Sequence, residues 1–272
     1  PDTFFEVGTT TITATATNAV GTAILTFDVT VIDDIKPEIA APNNISTVAT
    51  SAQGAIVNYT TPVGTDNCSV TTAMTSGLAD GATFPIGTTV VTYVATDGSG
   101  NDASASFNVE VVGIAPVIVV PANITVNTDA NECGAIVPFA ATDATGIPNS
   151  VITYDIQPDS LFAVGTTTIT ATATNAVGTA ISTFDVTVID DIKPEIAAPN
   201  NISTVATSAT GVVVNYTTPV GTDNCSVTTE MTSGLADGAT FPIGTTVVTY
   251  VATDGSGNDA SASFNVEVVG IA

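Results

Sequence analysis

Acids and cysteines are the side chains in this sequence whose type and spacing suggest site chemistry. Asp33, Asp34, Asp66, Asn67, Asp97, Asn101 and Asp102 form one series, and Asp190, Asp191, Asp223, Asn224, Asp254, Asn258 and Asp259 repeat it at the same spacing. Carboxylate and amide oxygens without nitrogen ligands suit a hard cation such as Ca2+, which takes six to eight oxygens. An EF-hand is excluded: the run opening at Asp97-x-Ser99-x-Asn101 lacks Gly at its sixth position and has Asn108 where Glu should close it. The alternative reading is that these are turn residues, because Asp, Asn and Gly favour turns through local side-chain capping and positive φ.

Other chemistry is excluded more firmly. The chain has no His, and Lys36 and Lys193 are its two cations, against 26 acids and a net charge of −24. Nucleophile–His arrangements are therefore impossible, and no enzymatic activity is expected. Nucleic acid and anionic membrane surfaces require basic residues that are missing. No run reaches the roughly 18–20 apolar residues of a spanning helix, so direct membrane insertion is not expected. The chain starts inside a repeat with no leader segment, which reads as an internal piece of a longer polypeptide.

The elements that must position these residues are strands. Thr26–Ala52 recurs letter for letter as Thr183–Ala209, an offset of 157 residues. Val57–Ala115 recurs as Val214–Ala272 with one difference, Ala73 against Glu230. The long unit is itself double: FPIGTTVVTYVATD at Phe84 is echoed by FAVGTTTITATATN at Phe162, and PNNIST at Pro42 by PANITV at Pro121. Two module types, A and B, follow: residues 1–34 (the C-terminal half of a B), 35–113 (A), 114–191 (B) and 192–272 (A). Val91, Tyr93 and Ala95 alternate with polar positions, as do Ala105, Phe107, Val109 and Val111. Period-two runs of β-branched residues broken by Gly, Asp, Asn and Pro predict an all-β fold of tandem immunoglobulin-like β-sandwich domains in an elongated array, about seven strands each.

The frame PEIAAPNNIS, TDNC, FPIGTTVVTYVATDGSGN and ASFNVEVV resembles the hyalin repeat (HYR) domain, an immunoglobulin-like module. The resemblance covers the whole chain and is weaker in B, where TDNC becomes TDAT at Thr142. Near-identical arrays of this kind resemble giant Bacteroidota surface proteins, including gliding-motility adhesins. That resemblance implies an extracellular, cell-surface location.

In such a sandwich the linker and two loops gather at one end, so each acidic series collects at the start of an A module, a possible Ca2+ junction. The B module serves as an internal control. Its linker VVGIAPV is acid-free, Asn175 replaces Asp97 and only Asp143 remains. No calcium is expected there, but rather an apolar contact through Ile114 and Val117. Each of the modules 35–113, 114–191 and 192–272 holds one cysteine, so pairing within a module is unavailable. Cys133 and Cys225 fall at ends that meet, while Gln53 and Thr145 occupy the corresponding positions at the other junction. Joint presence and joint absence predict an inter-domain Cys133–Cys225 disulfide, with Cys68 bonded to a cysteine outside this fragment. The alternative is three free thiols packed as small hydrophobes.

The expected function is mechanical: a stalk or shaft of a secreted adhesin or filament, partnered by neighbouring repeats and by surface polysaccharide or other filament chains. Two other readings remain. One is a ligand- or glycan-binding module using Tyr59, Tyr216 or Phe4; the other is a self-assembling extracellular filament subunit.

Overall fold

The computed structural model describes residues 3–271. Pro1, Asp2 and Ala272, the outermost residues of the first and last expected modules, lie outside them. The chain divides into two compact units. The first comprises Pro1–Pro116, Thr145–Ser150 and Asn175–Gly178; the second comprises Val117–Ala144, Val151–Thr174 and Thr179–Ala272.

The first unit opens with a hairpin, β1 (Gly8–Thr17) and β2 (Thr22–Val31). It continues through β3 (Ile45–Val48), β4 (Ala55–Ile56), β5 (Val70–Ser76), β6 (Thr83–Phe84), β7 (Gly87–Asp97) and β8 (Asp102–Val112). Strands β3, β8, β7 and β5 form one sheet in that order, with β3 parallel to β8, and β4 and β6 form a second. The alternation read from the sequence is the packing: Val91, Tyr93, Ala95, Phe107, Val109 and Val111 are buried while their neighbours face out. Tyr59 joins this core, its ring edge-on to Phe107 at 4.9 Å and its hydroxyl donating to the Leu78 carbonyl at 2.7 Å. Burial pushes the Tyr59 phenol well up, reinforced by its hydrogen bond to Tyr93. In place of seven full strands, this sandwich has six and an isolated bridge between Glu38 and Thr65.

Two short loops complete the first unit. Ile147 packs on the core and exchanges backbone hydrogen bonds with Ile114. Asn175 Nδ2 donates to the carbonyls of Ile114 and Pro148, both at 2.8 Å. The apolar contact expected through Ile114 and Val117 is thus made differently. Ile147, Val177 and Ile86 crowd Gly113, where any Cβ would collide.

The second unit holds β9 (Ile118–Val119), β10 (Ile124–Asn127), β11 (Gly134–Val137), β12 (Thr142–Asp143), β13 (Val151–Tyr154), β14 (Ser160–Ala163), β15 (Gly165–Thr174) and β16 (Thr179–Ile189). Then come β17 (Ile202–Val205), β18 (Val212–Val213), β19 (Val227–Ser233), β20 (Thr240–Phe241), β21 (Gly244–Asp254) and β22 (Asp259–Val269). Each set again has a four-stranded sheet, β10-β16-β15-β13 and β17-β22-β21-β19. Their cores centre on Phe139, Phe162 and Phe184, and on Phe241, Tyr250 and Phe264. Val117, expected in an apolar contact, is exposed here, its N–H held by the Asp143 carboxylate at 3.2 Å.

The two-stranded sheets depend on glycine. Gly211 has φ of +120°, and a Cβ there would run into the Phe241 carbonyl oxygen. The PxNI motif also has a mechanical reason. Asn44 Oδ1 accepts from Asn108 N, and Asn201 Oδ1 from Asn265 N, each at 2.8 Å, which sets the parallel strand beside its neighbour. The equivalent Asn123 accepts from Asp185 N at 3.0 Å.

Candidate functional site

In the first unit the acidic series separates into two groups with different work. Asp97 is consumed by its own turn: Oδ1 accepts from Ser99 N and Asn101 N, and Oδ2 accepts from Asn101 Nδ2 at 2.7 Å. Burial would raise this carboxyl, but those hydrogen bonds win and hold it below the usual carboxylate range. Asn101 Nδ2 also donates to the Asp33 carbonyl at 3.0 Å, so Asp97 and Asn101 lock the turn onto the preceding segment. Asp34 and Asp102 are exposed.

The second group is Asp33, Asp66 and Cys68, whose ligating atoms all lie within 4.8 Å of one another. Asp33 is only 9% exposed, and its Oδ2 has no hydrogen-bond partner. Asp66 Oδ2 accepts from Cys68 N at 2.9 Å. Cys68 is a free, exposed thiol whose pKa is pushed up, chiefly by the neighbouring Asp33 carboxylate, with smaller contributions from partial desolvation and from Asp66 and Asp97. Asn67 is exposed beside them.

The second unit repeats this arrangement with one covalent difference. Asp254 and Asn258 form the same turn lock, with Asn258 Nδ2 donating to the Asp190 carbonyl at 3.0 Å. The Asp254 carboxyl is again held low by hydrogen bonds against the opposing effect of burial. Asp190, Asp223 and Cys225 cluster as before. Here Cys225 is bonded to Cys133, with their Cα atoms 4.7 Å apart. Residues leading to Cys133 complete the polar contacts: Thr128 Oγ1 donates to Asp190 Oδ1 at 3.4 Å, and Asn224 Nδ2 donates to the Glu132 carbonyl at 3.1 Å. Asp191 accepts from Asn127 Nδ2 at 2.8 Å, while Asp259 is exposed.

Even so, Asp223 Oδ1 and Asn224 Oδ1 remain shielded from solvent without a partner. A buried acceptor left unpaired costs about 1–3 kcal/mol, so two in adjacent residues call for an electropositive neighbour. The donor set fits a hard cation. It offers carboxylate and amide oxygens, and the sulfur of Cys225 is not a thiolate because it is in a disulfide. Lys193 lines the same cavity of about 400 Å³ as Asp223 and Asn224.

The ligand- or glycan-binding reading needs Tyr59, Tyr216 or Phe4 at the surface. Tyr59 is buried, and Tyr216 packs edge-on against Phe264 at 5.0 Å with its hydroxyl donating to the Leu235 carbonyl. Phe4 alone of the three is largely exposed.

The HYR domain profile matches residues 32–111, 114–188 and 189–268. The chain belongs to the HYR domain family. Cys133 and Cys225 therefore sit in consecutive HYR domains. The chain is 34% identical to Hyalin of Strongylocentrotus purpuratus over 98% of its own length and 24% of that protein. It is 35% identical to Hyalin of Lytechinus variegatus over 98% of its length and 53% of that protein. It thus spans about a quarter to a half of these curated relatives. Among solved structures it resembles the protocadherin GammaB4 extracellular domain at 15% identity and a TM-score of 0.34, covering 96% of this chain and 54% of that one. No helix among the described residues is long and apolar enough to cross a membrane.

Proposed function

We propose that this chain is a load-bearing stalk segment of an extracellular cell-surface adhesion protein, built from tandem HYR domains and without enzymatic activity. The observation that carries the reading is the Cys133–Cys225 bond, which ties consecutive HYR domains covalently. A segment that only displayed independent ligand sites would gain nothing from such a bond, whereas one under tension would. Strong net negative charge keeps such a chain soluble by self-repulsion. Its partners are neighbouring repeats and surface polysaccharide or other filament chains. A narrower form, the shaft of a Bacteroidota gliding-motility adhesin, rests on the near-identical long repeat alone; the relatives named above are Hyalins and lend it no support.

Single-molecule pulling of the full chain tests the load-bearing role. The bond encloses a loop with a sequence separation of 92, so reduction should release roughly 300 Å of extra contour length at about 3.3–3.6 Å per residue. It should also lower the force at which the last domain opens. Identical traces before and after reduction would overturn the reading.

Calcium is the second part of the proposal, placed at Asp190, Asp223 and Asn224, with the remaining ligands supplied by water and main-chain carbonyls. Titration calorimetry on the full chain should show Ca2+ binding that is weakened at least roughly tenfold by Asp223→Asn, one carboxylate being about 1.4 kcal/mol or more of such a site. Unchanged binding in that variant, or no binding at millimolar Ca2+, removes calcium from the account.

A further inference from the structure

Each of the three matched HYR domains ends its four-stranded sheet in an open edge, and the three edges are guarded differently. In the orders β3-β8-β7-β5, β10-β16-β15-β13 and β17-β22-β21-β19, the last strand has a strand partner on one side only among the described residues. A free edge presents unpaired N–H and C=O groups, a template for another strand unless it is short or charged. At the opposite edge, β3, β10 and β17 are short in every domain, four residues each. β13 is also four residues long and runs straight into Asp155. β19 is seven residues long and carries Glu230 at its middle. β5, VTTAMTS, is equally long and holds no charged residue, in a chain with 26 acids.

That glutamate is the one difference between residues 57–115 and 214–272, where Ala73 becomes Glu230. The two edges share everything else. β5 and β19 have the same exposure residue by residue, with Ala73 and Glu230 both exposed and Met74 and Met231 at 40% and 39%. β19 follows a whole matched domain and is no better covered, so a preceding domain does not shield this edge. Both strands bulge after the methionine, between Met74 and Ser76 and between Met231 and Ser233, which leaves residues 70–74 as the straight part of β5. Ala73 stands opposite Val94, between buried Tyr93 and Ala95, which puts it on the outer face of the sheet. Thr71 and Thr75 donate back to the carbonyls of Thr96 and Thr92, on the β7 side.

We infer that β5 is a docking edge for β5 of a second copy of this chain, the two strands pairing antiparallel about a two-fold axis so that two sheets become one. The inference rests on the proposed partnership with other filament chains and names the edge that makes it. A two-fold pair sets residues near its axis against their own counterparts. With the axis at Thr72 or Ala73, Ala73 lies about 5–8 Å from the partner's Ala73 on the same face. Being small and neutral, it lets the strands meet. A glutamate there would set two carboxylates at that distance, and like charges across a strand pair repel. Glu230 therefore blocks in the last domain what Ala73 admits in the first. With one open edge per chain, the assembly closes as a dimer. Two chains of net charge −24 repel each other, so the contact strengthens as salt screens them.

The test is sedimentation equilibrium on the full chain, in a Cys68→Ala background that removes disulfide-linked dimers. At about 0.15 M salt it should show a monomer–dimer equilibrium with Kd on the order of 100 µM, as suits a small contact. Amide exchange in residues 70–74 should slow as concentration rises through that value, while exchange in β19 should not. Ala73→Glu should weaken the dimer at least roughly fivefold. Ala73→Gln, of similar size but neutral, should not. Raising salt to about 1 M, where the screening length is about 3 Å, should restore most of the loss in Ala73→Glu. Glu230→Ala opens a second edge and should produce species larger than a dimer. A chain that stays monomeric at about 1 mM, a dimer indifferent to Ala73→Glu, or equal weakening by Glu and Gln would overturn the inference. So would a Glu230→Ala chain that stops at the dimer. None of these results would alter the pulling result on the Cys133–Cys225 bond, which is read on single chains.

Discussion

Replacing Cys133 and Cys225 together by Ser should destabilise the last HYR domain by about 4 kcal/mol, the reduction in unfolded-chain entropy that the bond otherwise provides. The magnitude follows from chain connectivity. If both bonded domains unfold together, the loop is set by the sequence separation of 92, which corresponds to about 4.6 kcal/mol at 25 °C. If only the domain built from β17–β22 unfolds, the anchored chain runs from Ile189, the end of β16, to Cys225. That loop of about 36 residues is worth about 3.8 kcal/mol. Both routes give nearly the same answer because the cost grows only with the logarithm of loop length. The assay is urea unfolding followed by hydrogen exchange in β21 and β22, in a Cys68→Ala background that prevents thiol scrambling. With a slope near 1–2 kcal/mol/M for a domain of this size, the midpoint should fall by roughly 2–4 M. A fall below about 0.5 M, with an unchanged slope, would refute the argument that the bond restrains the unfolded chain.

Two further outcomes follow from local geometry. Gly211→Ala should lower stability by roughly 1–3 kcal/mol, since the position needs positive φ and a Cβ would strike the Phe241 carbonyl; a thermal melt indistinguishable from the parent would count against that packing. Asp155 is held below the usual carboxyl range by hydrogen bonds from the backbone of Thr170, against the opposing effect of burial and with help from Ile156 N. Because the folded value is depressed, its stabilisation is complete above the unfolded value near 3.9 and is lost as pH falls through the folded one. Asp155→Asn should therefore be less stable at neutral pH and lose less stability between pH 5 and 2. An acid-unfolding profile parallel to the parent's would contradict this.

Much of the chain was legible from one sequence because its signals are local and periodic. Alternation along Val91, Tyr93 and Ala95 marks the buried face of a strand whatever it packs against, and a repeat offset needs no structure to measure. The acidic residues were harder to sort. Asp66 and Asp97 look alike as letters, but Asp97 is spent on its own turn through Ser99 and Asn101, while Asp66 faces Asp33. Distinguishing them depends on where side-chain oxygens point. Likewise Asn44, Asn123 and Asn201 read only as letters of the recurring PNNIST and PANITV stretches, although their oxygens set the parallel strand pairing. That role depends on a partner more than 60 residues away.

Sequence alone determined the β class, the A and B alternation, the absence of any histidine-dependent chemistry and the placement of cysteines across repeats. These follow from composition, period and count, which the chain carries wherever it folds. Only the tertiary structure decided that Ile147, not Val117, makes the apolar contact, that Tyr59 is core, and that Asp97 is spent on its own turn. The physical reason is that burial belongs to the neighbours a face finds. Val117 is as apolar as Ile147, yet one faces solvent and the other packs on a core according to what covers it.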